Sequence, residues 1–397
     1  MRSRPAVVCA AVLGMLATGV VIGSADAAPL GRALDYLSAR QDPLTGAVGP
    51  EAGRAADTAW TAMAVAAAGE APGGWVHGAA TLAGALGVQP ADATGDLLRL
   101  AVARRAAGSV DEGLGSRVAA QQSADGSFAG GAVTTAWGIL ALRAVGRPPD
   151  DVAVGAAVRA LGALRCPDGG WASVSGAGAS DAVATATGIQ ALRAARIPVA
   201  DAVVAGARTR LLALRDPTGG FARSAIPTAW AIVAIRSLGE RPGRGVWAHG
   251  GSPLAVLDSL QAADGGVRPT PASRPSVFAT AVAALAWSGR VLPVDPGRQA
   301  TPDRTPRVVR RTPASGDVVR GVFSVRYVDE RGGTGVDPAR TTIRVNGRDV
   351  TRHARITPFT LQVRPSALPP GPLAISVRVR DRAGHAAVAE WSVVGPG

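Results

Sequence analysis

Two acids and three tryptophans carry most of the chemical potential of this sequence. Asp57 stands one residue before Thr58 and three before Trp60, and Asp181 stands four before Thr185. Thr135 precedes Trp137, and Thr228 precedes Trp230, by the same two-residue step that separates Thr58 from Trp60. A lone carboxylate can protonate a neutral substrate when its surroundings raise its pKa. At a helix start its commoner role is to accept from free backbone N–H groups. Tryptophans on equivalent helices either line a cavity for a small apolar ligand, with threonine hydroxyls beside it, or fill a core. Both readings stay open at this point.

Other chemistry is excluded more firmly. The two cysteines, Cys9 and Cys166, rule out a disulfide scaffold, and without metal-type Cys pairs there is no zinc ribbon or finger. No metal and no cofactor is expected. Trp75-Val76-His77-Gly78 returns as Trp247-Ala248-His249-Gly250. A His pair could bind a ligand or a metal, but packing with a loop hydrogen bond is the plainer reading.

The elements that must position these residues repeat. A Thr-containing start and an apolar run recur at Asp57–Thr61, Asp92–Gly95, Thr135–Gly138, Thr185–Gly188, Thr228–Ala231 and Thr280–Ala283. Each run, such as Ile139–Arg143 or Ile232–Arg236, is apolar nearly all round, which predicts a buried helix. A more amphipathic helix lies between successive copies, as in Val158–Arg165 and Thr209–Arg215, and ends in a turn rich in Asp and Gly. Six pairs with no polar caps predict a closed ring, six inner helices within six outer ones, rather than an open superhelix.

The turns Gln122-Ser123-Ala124-Asp125-Gly126-Ser127-Phe128, Cys166-Pro167-Asp168-Gly169-Gly170-Trp171 and Gln261-Ala262-Ala263-Asp264-Gly265-Gly266 are similar to the Q-x-x-D-G-[SG]-[WF] repeat of the prenyltransferase and squalene-cyclase (terpenoid cyclase) superfamily. The resemblance implies an α/α-toroid over about residues 30–290. It also implies centres that this sequence lacks. There is no D-x-D-D proton-donor cluster, the nearest acids being Asp57 and Asp181. No His matches the Asp/Cys/His zinc set, and no thioester G-C-G-E-Q motif is present. The reading therefore leans away from an enzyme. Family toroids can also act as non-catalytic ligand clamps.

Arg2 and Arg4, an uncharged run from Pro5 to Ala25 and Ala25-Asp26-Ala27 read as a cleaved secretory signal over 1–27. The rival is an uncleaved anchor. No transmembrane segment is expected after cleavage. All 42 basic residues are arginine. The excess sits at the end of the chain: residues 303–397 carry 16 Arg and 8 acids, a net of +8. Nucleic acid is not an expected partner, because no aromatic-basic interleaving accompanies the charge.

The domains expected are a toroid over 28–290, a linker over 291–305 and an antiparallel β-sandwich over 306–397. Val322–Val328, Thr342–Val345 and Ala374–Arg380 alternate with period two, and Asn346-Gly347 signals a hairpin. The stretches 333–337, 345–351 and 379–385 resemble bacterial immunoglobulin-like surface modules. The fold class expected is thus multidomain α and β, an (α/α)6 toroid followed by a β-sandwich. The function expected is that of a secreted or envelope-associated binding protein whose toroid holds a small apolar ligand. The residues that would line its centre are Asp57, Thr58, Trp60, Thr135, Trp137, Asp181, Thr185, Thr228 and Trp230. A terpenoid or lipid cyclase using Asp57 or Asp181 is one alternative. An adhesin that grips anionic envelope polymer through its basic tail is the other.

Overall fold

The computed structural model describes residues 29–77, 80–174, 176–296, 306–329, 335–382 and 384–396. The signal expected over 1–27 lies outside the described residues, as does most of the linker expected over 291–305. Among the described residues, twelve α-helices are followed by eight strands in two antiparallel sheets. No helix of the described residues is long and apolar enough to cross a membrane.

The helices alternate in role. Those with the more buried sequences are α2 (Arg54–Ala67), α4 (Thr94–Ala107), α6 (Ala132–Ala144), α8 (Ala182–Ala194), α10 (Ala225–Ser237) and α12 (Val277–Ser288), and α4 departs from the apolar pattern with Asp96, Arg99, Arg104 and Arg105. Between them come α1 (Pro29–Ser38), α3 (Leu82–Gly87), α5 (Glu112–Ala119), α7 (Val152–Ala163), α9 (Ala202–Ala213) and α11 (Pro253–Ser259). Each even-numbered helix packs on the next one in order, and α12 packs back on α2, so the circuit of contacts closes. Glycine lets an aromatic ring of the repeat turn lie flush on the helix. A Cβ on Gly138 of α6 would come within 2.2 Å of the Phe128 ring, and one on Gly188 of α8 within 2.5 Å of Trp171.

The repeat turn works through one side-chain amide. Gln122 Nε2 donates to the Gly126 carbonyl (3.0 Å), closing its own turn, and to Ala153 O in α7 (2.8 Å). Gln261 does the same in the last repeat, donating to Gly265 O (3.0 Å) and to Pro29 O (2.8 Å) at the start of α1. Arg32 of α1 donates back to Gln261 Oε1. Gln41 builds a longer version, bonding Gly46 O and Trp75 O.

A row of arginines ties the far ends together. Arg143 Nε donates to Ala194 O, the last residue of α8, at 3.0 Å, and Arg193 Nε to Ser237 O, the last of α10, at 3.1 Å. Arg236 donates to Ala286 O in α12. Helices α6, α8, α10 and α12 therefore run parallel, with their C-termini at one end. There the unpaired carbonyls carry partial negative charge that each guanidinium offsets.

One expected boundary moves. Leu292 and Val294 are buried in the helical core, and Arg105 pairs with Asp295 at 2.7 Å. The beginning of the expected linker is thus packed against the helices.

The remaining chain forms β1 (Arg307–Thr312), β2 (Phe323–Val328), β3 (Thr342–Val345), β4 (Arg348–Asp349), β5 (Ala354–Ile356), β6 (Thr360–Val363), β7 (Gly371–Arg380) and β8 (Ala386–Gly395). The sheets run β1-β2-β6-β5 and β8-β7-β3-β4. One apolar cluster draws Val325, Tyr327 and Leu361 from the first and Ile343, Val377 and Trp391 from the second. Asn346 and Gly347 both take positive φ (49° and 78°) between β3 and β4, as a two-residue hairpin turn requires.

Candidate functional site

Three of the singled-out tryptophans meet. Trp137 is the sixth residue of α6, Trp230 the sixth of α10 and Trp60 the seventh of α2. Ring centroids are 5.3 Å apart for Trp60–Trp137, 5.5 Å for Trp60–Trp230 and 6.0 Å for Trp137–Trp230, all edge to face. Phe278 of α12 joins them, 5.4 Å from Trp60. These are favourable aromatic geometries. Trp60 and Trp230 are buried, whereas Trp137 and Phe278 keep a partly exposed surface. The sixth position of α8 holds Thr187, and that of α4 holds Arg99, paired with Asp96 at 2.8 Å.

The four threonines expected beside the tryptophans point elsewhere. Two residues along a helix is a turn of about 200°, so each Thr lies on the far side from the aromatic position. Thr58 Oγ1 accepts from Val48 N–H (3.0 Å), Thr135 from Phe128 (3.0 Å), Thr185 from Trp171 (3.2 Å) and Thr228 from Phe221 (3.0 Å). Thr280 does the same for Val267 at 2.8 Å. Each hydroxyl clamps a repeat turn onto the even-numbered helix that follows it. Thr94 departs from this pattern: it opens α4, and its hydroxyl donates to Gln121 Oε1 (2.6 Å).

The two acids differ. Asp181 is the N-cap of α8, accepting from Ala184 N–H (2.9 Å) and Ser173 N–H (2.6 Å). Asp57 lies in the first turn of α2, one turn before Trp60, and is half-buried. Its carboxylate sits against Gly49, where a Cβ would lie 2.5 Å from Oδ2. Burial pushes its pKa up from 3.8 to about 6. Asp57 is therefore a half-buried acid with a raised pKa, one helical turn before Trp60. No cluster of potential metal ligands occurs among the described residues.

The repeated Trp-x-His-Gly segments bury their tryptophans. Trp75 donates its indole N–H to Glu70 Oε2 (2.7 Å), and Trp247 to Glu240 Oε2. Arg208 pairs with Glu240. His249 is exposed, and the side chain of His77 lies outside the described residues. A surface cleft of about 880 Å³ is lined by Arg215, Asp216, Val246 and His249. A second, of about 520 Å³, is lined by Gln122, Arg147 and Asp151. Neither is lined by the aromatic layer.

Sequence reasoning missed Gln190. It lies one turn beyond Thr187 on α8, only 1 % exposed, and neither amide atom has a hydrogen-bond partner among the described residues. The same step from Trp60, Trp137 and Trp230 reaches Met63, Leu140 and Val233. One polar residue in an otherwise apolar register was the available signal.

Among solved structures, the chain is similar to a variant of the type II terpene cyclase MstE from Scytonema in its apo form. They are 15% identical, with 66% of this chain and 95% of that chain covered, at a TM-score of 0.43. A second MstE variant, in complex with its substrate geranylgeranyl dihydroxybenzoate, is 16% identical, with 66% and 96% covered and a TM-score of 0.43. CopC from Methylosinus trichosporium OB3b is 21% identical, with 22% of this chain and 91% of that chain covered, at a TM-score of 0.18. No protein-family model and no curated protein matches the chain.

Proposed function

We propose that the helical part is an (α/α)6 toroid with a non-catalytic hub. On this reading the two sheets form an immunoglobulin-like β-sandwich, and the protein is exported to the envelope as a binding protein. The observation that carries the reading is the aromatic layer of Trp60, Trp137, Trp230 and Phe278, whose rings contact one another. A reacting polyprenyl chain needs an open, enclosed volume. Contacting rings instead offer a floor on which a small apolar ligand can stack at the partly exposed faces of Trp137 and Phe278. Squalene and geranylgeraniol serve as probes, with tryptophan fluorescence and native mass spectrometry as readouts. Probe bound by the wild type and lost in Trp137→Ala is the expected result. Equal binding by the variant, or no binding by either protein, overturns the ligand reading.

Asp57 supports a second reading, a cyclase with a single acid. A carboxyl group with a pKa of about 6 is half protonated near that pH and lies one turn from Trp60. Incubation with polyprenyl and triterpene substrates tests this. Turnover abolished by Asp57→Asn would replace the first reading with the second.

A further inference from the structure

The two sheets of the tail present different outer surfaces. Across β8-β7-β3-β4, one row runs Glu390, Ser376, Arg344, Asp349, so two acids share it with one base. None of the four strands of the other sheet contains an acidic residue. Its outward positions carry Arg310, Arg326 and Arg355, all exposed, with Thr312, Ser324, Thr360 and Gln362 between them.

Arg310 of β1 stands directly opposite Arg326 of β2. Like charges in that relation weaken a strand pair, and no residue of the described structure pairs with either guanidinium. A register shift between Val308 and Arg310 sets this opposition, and bulges of this kind re-aim side chains. Arg355 of β5 pairs with Gln362, which pairs with Ser324 in the row beside Arg310 and Arg326, so guanidinium groups stand on β1, β2 and β5, and polar side chains bridge them on β6. At about 4.8 Å between strands, that is a width of roughly 14 Å.

We infer that this sheet face docks a soluble, linear polymer of phosphate groups. A guanidinium offers a phosphate two parallel N–H donors, and the intervening hydroxyls and amide supply further ones. The net +8 of residues 303–397 steers a polyanion toward the tail. The exposed large apolar residues on or flanking these strands are isolated: Val309 in the edge bulge, Val322 before β2 and Phe359 before β6. The face has no stripe of apolar side chains to enter an acyl layer, which favours a polymer over a bilayer. This inference is independent of the hub.

The test uses the full chain and long-chain inorganic polyphosphate. Binding is measured over a salt series for three proteins. They are the wild type, a triple variant Arg310→Ser, Arg326→Ser and Arg355→Ser, and a control Arg344→Ser and Arg378→Ser on the other sheet. Three phosphate contacts predict a log–log salt slope of about −2 for the wild type and the control. The triple variant should bind at least tenfold more weakly, with a slope near zero and a melting temperature no lower than that of the wild type. Equal loss in the control, full retention in the triple variant, or binding to phosphatidylglycerol vesicles without binding to polyphosphate overturns the inference.

Discussion

Gln261 holds the carbonyl of Pro29 at 2.8 Å, joining the turn after α11 to the first residue of α1 across 232 positions of sequence. The same amide contact links Gln122 to Ala153 within the chain. The join between last and first repeats is therefore chemically the same as an internal one.

Gln261→Ala should accordingly cost about 1–3 kcal/mol, because part-buried carbonyls lose their donor. Amide hydrogen exchange discriminates the cause. Exchange should speed up in α1 for Gln261→Ala and in α7 for Gln122→Ala. Uniform acceleration across the helical part in both variants would contradict a local clamp.

Thr228→Val separates a turn clamp from a ligand contact. It leaves the buried N–H of Phe221 without its acceptor, so stability should fall by about 1–3 kcal/mol in urea. Trp60→Ala removes a ring that touches three others and should cost about 3–5 kcal/mol. An unchanged urea midpoint for Thr228→Val would return that hydroxyl to the list of possible ligand contacts.

Gln190→Leu should stabilise the protein. The leucine matches Leu140 at the same step and removes two buried, unpartnered polar atoms. A gain of about 1–2 kcal/mol with an unchanged m-value is expected. A loss of stability would mean that the amide has a bound partner in solution.

Asp57 gives a pH signature. Its folded pKa of about 6 lies above the ordinary value of 3.8, so the protonated form is the one the fold favours. Its contribution is fully present below about pH 4 and is lost as pH rises through 6. Asp57→Asn should thus be the more stable protein at pH 7, by about 1–2 kcal/mol after solvent screening and the favourable first-turn position. That difference should vanish near pH 4. A constant difference between pH 4 and 7 would assign it to packing instead.

Local chemistry explains what was legible in the sequence. The Asp-Gly turns, the apolar runs and the Asn346-Gly347 hairpin depend on neighbouring residues, and each lies where its pattern indicates. The turn at Gln41 escaped because extra residues separate Asp42 from Gly46. Thr58 and Trp60 read as one site because they are adjacent in sequence, yet helical rotation sends them to opposite faces. The carbonyls taken by Arg143 and Arg193, and the lack of any partner for Gln190, depend on groups far along the chain. No local pattern reveals them.

The contact from Gln261 to Pro29 also constrains how such a chain can evolve. A linear array can gain or shed a module at either extremity and still fold. Here, insertion or deletion of one helix pair would pull the final turn away from the opening helix and change the curvature required of every neighbour. Copy number is consequently locked, and divergence is channelled into side chains and loops.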